Sequence, residues 1–476
     1  MRKAGTPVEQ SRQPPRGVIP ILLIAAFVVI LNETTMNVAL SAIMSDFGVT
    51  ERSAQWLTTA FMLTMAVVIP ITGWLLDRLT TRSVFLTAMG LFSLGTLVCM
   101  VAPSFSLLLL GRVVQASGTA MMMPLLMTTI MQLVPAGERG KTMGNISMVI
   151  AVAPAVGPTL SGVILQMGSW RLIFGVVLPI ALAMLALGAA RLRNVSERKD
   201  TPLDLISVPL SVLAFGPLIY GLSVVGAEDV AFWVPMLSLG VGVGALVAFI
   251  ARQMVLQGRD AAFLDLRTFT QLPFTVSVIM MAIAMMALFG TVIMLPLLLQ
   301  RAFGWEPVEV GLMMLPGGIA MGLLGPVIGR LFDRVGPRVL VIPASFVVLA
   351  VFLFSTLQLG TPGWAIMLAH VAMSVSFAAI FTPLFTLALG SLPRKLYSHG
   401  SAVIGAVQQV AGAAGTALFV TIFAMQTAVA RPTAASEGEA MLAGSHWAFL
   451  GAGAIWTAAV IAGFFLRKPE EPATAP

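Results

Sequence analysis

The sequence predicts an all-α integral membrane protein with fourteen transmembrane helices. Of its 476 residues, 58% are hydrophobic and only 10% are charged, whereas soluble globular proteins have about 25% charged residues. Its apolar segments are long enough for membrane helices, which need about 20 residues each, and they lack the roughly ten-residue alternation of β-barrel strands. This composition excludes an ordinary soluble enzyme and a disordered protein.

The fourteen predicted helices lie between charged residues and turn residues. The first is longer than the apolar core of a signal peptide and has no A-x-A-like cleavage site, so we expect it to remain in the chain. The approximate bounds are residues 17–44, 54–77, 83–103, 105–133, 142–166, 172–190, 203–225, 230–251, 274–300, 307–329, 339–358, 363–389, 399–428 and 446–466.

The positions of the Lys and Arg residues predict the orientation. If the N-terminus lies in the cytoplasm, 22 of the 27 basic residues fall in cytoplasmic segments, four fall in outer loops, and Arg112 lies within a span. Cytoplasmic loops of membrane proteins carry such an excess of Lys and Arg. We therefore expect a multi-pass protein with both termini in the cytoplasm. The formal net charge of +7 then reflects orientation and does not indicate a nucleic-acid partner.

A ten-residue pattern occurs twice, 256 residues apart. Residues 73–82 and residues 329–338 both read G-x-L-x-D-R-x-x-x-R. Aligning the two copies pairs helices 1–6 with helices 9–14 and leaves a two-helix central insertion between two six-helix halves, an arrangement typical of transporters. The predicted organisation is a cytoplasmic tail at 1–16, an N-terminal half at 17–192, a linker at 193–273 with inserted helices at about 203–225 and 230–251, a C-terminal half at 274–467 and a second cytoplasmic tail at 468–476.

Three further segments accompany the repeated loops. They read L-N-E-T-T-M-N-V-A-L at 31–40, R-V-V-Q-A-S-G at 112–118 and G-P-T-L-S-G at 157–162. In this order the segments resemble motifs of the fourteen-span drug:proton antiporters (multidrug efflux transporters) of the major facilitator superfamily. The resemblance implies two halves that rock about a central site and export coupled to protons. The family's first-span acid stands one position earlier, where this chain has Asn32.

Only two ionisable side chains, Glu33 and Arg112, are predicted to lie deep within spans. A charge at the centre of a membrane helix costs about 2.5–3.5 kcal/mol on insertion scales, so such residues are candidates for function. Glu33 is the candidate proton carrier, and Asn37 lies one turn further along the same helix face. The alternative is a structural glutamate paired with a polar group of a neighbouring helix.

Arg112 shares a helix face with Gln115, three residues further on. A guanidinium remains charged when it is buried, and the resemblance associates this arginine with proton transfer. We expect Arg112 and Glu33 to form the proton-coupling site. The alternative is a permanent ion pair that joins the first and fourth helices.

The motif residues are candidates for gating. Glycine permits close approach of helices, and proline bends a helix, which suggests a mechanical role for the fifth-span segment. The repeated loops are expected to make charge contacts that hold one conformation closed. The alternative for the loops is a solvated segment that only sets orientation. The candidates are Gly73, Asp77, Arg78, Arg82, Gly157, Pro158, Gly162, Asp333 and Arg334.

The substrate cavity has weaker signals. Its candidate residues are Asn37, Gln115, Met122 and Gln408, because flexible thioethers and amides suit a pocket that accepts varied molecules; filling of the apolar interior is the alternative for the methionines. A lone His370 is expected to be a packing residue. The three histidines and single cysteine form no metal motif, and no phosphate-binding loop is present, so neither cofactor nor ATP is expected.

These features together predict a transporter and not an enzyme. The expected function is proton-coupled antiport that exports small amphipathic or cationic drugs across a bacterial plasma (inner) membrane, with drug-like molecules, protons and the lipid bilayer as partners. The sequence is compatible with a monomer. One alternative is a same-fold exporter or symporter of a lipid, siderophore or other metabolite. A receptor or scaffold is a second alternative, but it gives no reason for the repeated loop or for Glu33.

Overall fold

The computed structural model describes residues 17–195, 202–225, 230–336, 341–342, 344 and 351–463. The predicted tails, and most of the predicted span at 339–358, lie outside these residues. All regular structure in the described ranges is helical. The α-helices are α1 Val18–Phe47, α2 Glu51–Arg78, α3 Thr81–Val101, α4 Phe105–Leu133, α5 Arg139–Met167, α6 Arg171–Arg191, α7 Ser207–Val224, α8 Trp233–Gln257, α9 Leu272–Arg301, α10 Pro307–Val335, α11 Val351–Ser355, α12 Gly363–Gly390, α13 Tyr397–Ala430 and α14 Glu437–Gly463.

Eleven of the described helices are long and apolar enough to cross a membrane, or twelve if the bent α5 is one span. The largest difference from the predicted bounds is at the start of α14, which begins at Glu437 and not near residue 446. Glu437 and Glu439 lie in its first turn, where acidic side chains favour the positive end of the helix dipole. In the sequence these two glutamates suggest a loop, but in the structure they are part of the helix.

Short polar side chains determine where several helices begin. Thr50, Thr80 and Ser104 each precede a helix and accept a hydrogen bond from a backbone N–H in its first turn. Such caps satisfy amide groups that have no partner within the helix. They explain why α2, α3 and α4 begin directly after turns of only two or three residues.

The helices pack in two groups. In the first, α1 packs against α4, α5 and α6, and α3 packs against α4 and α6; in the second, α9 packs against α12, α13 and α14, and α10 packs against α12. The groups meet mainly where α5 packs along α10 and where α2 and α4 pack against α13. Helices α7 and α8 pack on each other, and α7 also contacts α2 and α13.

Glycine makes the closest contact between the two groups possible. A side chain at Gly144 of α5 would come 2.3 Å from the carbonyl oxygen of Gly325 on α10, and a side chain at Gly329 would come 2.0 Å from the carbonyl oxygen of Gly140. Such distances are far inside van der Waals contact, so only glycine allows the two backbones to touch. The same ends of α5 and α10 carry polar contacts described below.

Candidate functional site

Arg112 lies at the centre of a buried polar cluster in the first helix group. Its side chain is 1% exposed, and its Nη1 donates to Oε1 of Gln115 at 2.6 Å and to Oδ1 of Asn32 at 3.4 Å. Gln115 in turn donates to Oγ1 of Thr96 at 2.7 Å. The guanidinium carbon lies 4.1 Å from the ring centre of Phe61, a cation–π contact. The cluster therefore ties α1, α2, α3 and α4 together around one buried positive charge.

Glu33 lies beside this cluster without joining it directly. It is partly exposed, and its charge interacts with that of Arg112, but the two side chains form no ion pair. Among the described residues its carboxyl group has no hydrogen-bond partner. One residue is about 100° around a helix, so Asn32 points at Arg112 while Glu33 points elsewhere. The carboxyl group thus lies within the electrostatic reach of a fixed cation without a hydrogen bond to it.

The α1 segment next to Glu33 also touches α5 at its predicted motif. A side chain at Gly157 would come 2.1 Å from Oγ1 of Thr34, and that hydroxyl donates to the carbonyl of Ala153 at 3.4 Å. Helix α5 bends by 41° between Pro154 and Thr159, as expected where proline removes a backbone hydrogen bond. The bend of α5 is therefore packed directly against the residue that follows Glu33.

At one end of the bundle the two helix groups are joined by polar contacts; we call this end the closed face. Here Asp333, at the end of α10, accepts hydrogen bonds from the backbone N–H groups of Gly140 at 2.8 Å and Lys141 at 2.9 Å. These N–H groups lie in the first turn of α5, where an anion is favoured. The carboxylate therefore caps a helix of the opposite group.

Asp77 occupies the equivalent place in the first copy of the repeat. Asp77 is buried, and its carboxylate accepts a short hydrogen bond from the hydroxyl of Ser398, while its Oδ2 lies 3.4 Å from Nε2 of His399. Both residues are in the first turn of α13. Each motif aspartate thus contacts the N-terminus of a helix in the opposite group, and the contacts are related by the repeat.

Two hydroxyl pairs lie deeper along the same end. Thr128 of α4 and Ser401 of α13 are 2.7 Å apart, and Thr382 of α12 donates to Ser147 of α5 at 2.7 Å. Each pair joins the two helix groups. Together with the two aspartates, they give the closed face four polar connections between the groups.

Comparison with known proteins identifies the family. The model described as "Major Facilitator Superfamily" matches residues 22–416. The chain belongs to this superfamily. It is 40% identical to the uncharacterized MFS-type transporter YcnB of Bacillus subtilis (strain 168), with 98% of each chain covered. It is 37% identical to the lincomycin resistance protein LmrB of the same strain, with 95% of this chain and 96% of that one covered.

The fold also matches that of a solved transporter structure. The human organic anion transporter MFSD10 (TETRAN) superposes with a TM-score of 0.67 at 14% sequence identity, over 94% of this chain and 99% of that one. Membership of the Major Facilitator Superfamily makes this chain a membrane transporter of small molecules and not an enzyme, as the sequence predicts.

The remaining gating candidates of this superfamily member lie in different environments. Arg82 donates to the carbonyl of Ala189 at 2.5 Å, within its own helix group. Arg78 and Arg334 are exposed on the closed face. Around Gly162 there is open space, since an added side chain would meet nothing within 4 Å. Gly73 is tightly enclosed, because a side chain there would come 2.7 Å from the carbonyl oxygen of Phe263.

The predicted cavity residues that the structure describes are buried or partly buried. Met122 and Gln115 are both 0% exposed, so in this conformation neither lines an open cavity. Gln408 is partly buried, and its Nε2 has no partner among the described residues. His370 is 5% exposed and packs against Gly317, in line with the predicted packing role. The side chains of Asn37 and Pro158 lie outside the described part of the structure.

Several residues of these sites carry no signal in the sequence analysis. Thr96 and Phe61 complete the shell around Arg112, yet a threonine and a phenylalanine in apolar spans are unremarkable by pattern. Ser398 and His399 were not predicted, although the repeat could have pointed to them: they follow Pro393 as Gly140 and Lys141 follow Pro135. Within the described ranges, no group of His, Cys, Asp and Glu is arranged to hold a metal ion.

Proposed function

We propose that this transporter is a proton-coupled antiporter that exports small amphipathic or cationic drugs across a bacterial plasma membrane. The observation that carries the proposal is the placement of Glu33 beside, but not paired with, the buried charge of Arg112. A carboxylate in a permanent ion pair would resist protonation. A carboxyl group with only a longer-range attraction can alternate between its neutral and charged forms.

Arg112 is suited to be the fixed positive charge beside a carboxyl group that alternates between its neutral and charged forms. It remains charged and is held by Gln115 and Asn32. When Glu33 is protonated, the site carries a net positive charge, which disfavours a cationic substrate nearby. When Glu33 is deprotonated, the charge is compensated and a cation is tolerated. Proton and cationic substrate therefore compete through one pair of residues, which is the requirement for antiport.

The drug specificity is inferred from relatives. A protein 37% identical over nearly the whole chain is named for lincomycin resistance, and removal of a drug from the cell is the way in which a transporter produces resistance. The segment at 157–162 also supports export of the substrate from the cell, because its G-P-T-L-S-G sequence resembles a motif of exporters. Lincomycin is therefore the first compound to test, followed by dyes and quaternary ammonium compounds.

The proposed topology places the closed face in the cytoplasm. Nine exposed or partly exposed basic residues surround that face: Arg78, Arg82, Arg139, Lys141, Arg191, Arg330, Arg334, Arg394 and Lys395. The positive-inside rule then places both termini in the cytoplasm, with fourteen spans arranged as six, two and six. The conformation described here is accordingly closed on the cytoplasmic side, and rocking of the halves would open that face.

The test is substrate-induced proton release in inverted membrane vesicles. Wild type is expected to release protons on addition of a transported drug, whereas Glu33→Gln and Arg112→Ala release none. Exchange of one proton for one monovalent cation is electroneutral, so a membrane potential at fixed pH should not drive transport. Proton uptake in place of release would indicate a symporter. Full coupled release by Glu33→Gln would refute the assignment of Glu33.

A further inference from the structure

The linker that follows α8 reaches into the closed face and meets His399. The carbonyl oxygen of Phe263 lies 3.0 Å from Nδ1 of His399, and the other ring nitrogen, Nε2, lies 3.4 Å from Oδ2 of Asp77. His399 is 7% exposed and Phe263 is 0% exposed. One buried imidazole ring thus joins three parts of the chain: the repeated motif of α2, the first turn of α13, and the linker from the inserted helices.

Both nitrogens of this ring face hydrogen-bond acceptors. A neutral imidazole has one N–H and can donate to only one of them, which leaves a lone pair pointing at the other. With a second proton on the ring, Nδ1 can donate to the Phe263 carbonyl and Nε2 can donate to the Asp77 carboxylate at the same time. Because imidazole is more basic than a carboxyl group, that proton belongs to the ring. We propose that protonation of His399 latches the closed face, and that loss of the proton releases it.

The inserted helices hold the Phe263 carbonyl in position. Oε1 of the buried Gln253, on α8, accepts from the backbone N–H of Phe263 at 2.7 Å, and its Nε2 donates to Ser207 of α7 at 2.8 Å. Ser207 in turn donates to Asp204 at 2.7 Å. The chain of hydrogen bonds gives the insertion a role: it presents a fixed acceptor to the latch. The acceptor is backbone, so it cannot titrate.

The equivalent contact in the other half has no histidine. His399 occupies the place that Lys141 has in the first half, where Asp333 accepts only backbone N–H groups. The closed face therefore has a histidine at one of its two motif-aspartate contacts and not at the other. The latch proposal accordingly assigns the pH dependence to the contact of His399 with Asp77.

Other charged groups also lie around His399. They line a cavity of about 320 Å³ beside the ring. Aspartate, lysine and arginine ordinarily titrate well outside pH 5.5–8, whereas histidine titrates within it. Arg267 is paired with Asp260 at 2.6 Å and with Asp265 at 2.5 Å. The charged groups are Asp77 from α2, Lys395 before α13, and Arg259, Asp260, Asp265 and Arg267 from the linker.

The test measures the opening of the closed face as a function of pH. Glu33→Gln serves as the background, so that the proposed proton carrier cannot contribute and a failure of the latch is distinguishable from a failure of the antiport proposal. The single cysteine is replaced by serine, and spin labels are placed at Arg191 and Arg330, two exposed residues without a described hydrogen bond or ion pair. Electron–electron double resonance then gives the populations of short and long distances.

We expect the ratio of closed to open populations to fall as the pH rises from 5.5 to 8, by at most about tenfold per pH unit for one proton. His399→Gln should remove this dependence. His446→Gln is the matched control, because His446 contacts the carbonyl of Ser355 away from the closed face, and it should leave the dependence unchanged. An equal dependence in His399→Gln, or none in the background variant, overturns the proposal.

A second measurement remains informative if the conformational change is small. The chain has only three histidines, so nitrogen NMR of ¹⁵N-histidine-labelled protein resolves each ring, and His399→Gln assigns the signal. At pH 5.5 in the closed state, the His399 ring is expected to show two protonated nitrogens. A ring that stays neutral at this pH overturns the proposal.

Discussion

Arg112 donates a hydrogen bond to Asn32 across 3.4 Å, between the fourth and first helices. The neighbouring Glu33 makes no such bond, although its charge interacts with that of Arg112. The amide therefore occupies the position nearest the guanidinium, and the acid stands beside it. In the proposed mechanism this arrangement separates two roles that a direct ion pair would combine: Asn32 holds Arg112 in place, while Glu33 binds and releases the coupled proton.

Replacement of Gln115 by leucine tests how the buried charge is held. The change removes the 2.6 Å acceptor of Arg112 and the donor to Thr96. A hydrogen bond to a charged group contributes about 1.5–3 kcal/mol, so Gln115→Leu should lower the thermal stability of the purified protein by a corresponding amount. Ser106→Ala, at an exposed position of the same helix, is the control. Equal melting temperatures for the two variants would contradict the structural account of the cluster.

The contact between α5 and α1 predicts contrasting effects at two glycines. Gly157→Ala places a methyl group against Thr34, which must move, and overpacking typically costs about 1–3 kcal/mol. Gly162→Ala meets nothing within 4 Å and should be neutral or slightly stabilising. Transport rates in vesicles should therefore fall for Gly157→Ala and stay near wild type for Gly162→Ala. The reverse order would show that the contact with Thr34 is unimportant.

The closed face depends on Asp333 more than on the arginine beside it. Asp333→Ala leaves two backbone N–H groups of α5 without their acceptor, which should cost about 1.5–3 kcal/mol and lower the closed-to-open ratio roughly tenfold to a hundredfold. Arg334→Ala removes an exposed side chain and should leave the ratio nearly unchanged. Spin-label distances at Arg191 and Arg330 report both. A larger effect for Arg334→Ala would refute the assigned roles.

The linker offers a prediction for acid stability. Arg252 donates two hydrogen bonds to Asp204 and lowers the pKa of that carboxyl group from 3.8 to about 2. A lowered pKa means that the pair stabilises the fold above about pH 4 and that this contribution is lost as the pH falls toward 2. Asp204→Asn should therefore lower the melting temperature at pH 6, and the difference from wild type should shrink by pH 3. A difference that is constant with pH would contradict this.

Much of the fold follows from hydropathy, because each membrane helix must be apolar along its length. The predicted bounds of α4 coincide with those observed, Phe105–Leu133. The start of α14 was predicted late, because its first turn carries two glutamates that favour a helix terminus. The closed conformation could not be predicted, since hydropathy contains no information on which ends of the helix groups meet. That information lies in tertiary contacts such as those of Gly144 and Gly325.

The charged residues of the candidate site could be predicted from the sequence, but the residues that contact them could not. Glu33 and Arg112 stand out because charge is rare in membrane spans. The separation of Asn32 and Glu33 depends on the rotation of α1, which an apolar helix with few polar residues does not fix. The partners of Asp77 were missed for another reason: Ser398 lies 321 residues away in the sequence and His399 follows it, and the repeat indicates them only when the contact of Asp333 with Gly140 and Lys141 is known.

The most direct test of the central claim compares two kinds of transport by Glu33→Gln in proteoliposomes. Substrate exchange across the membrane needs binding and rocking but no proton, whereas uphill transport driven by a pH gradient needs a protonatable residue. If Glu33 carries the coupled proton, the Glu33→Gln protein, whose side chain is neutral like protonated Glu33, will still exchange labelled substrate at saturating concentration, with a raised KM for a cation, and will not accumulate it against a gradient. Accumulation at the wild-type level would contradict the account, and so would loss of both activities together, which would make Glu33 a structural or substrate-binding residue.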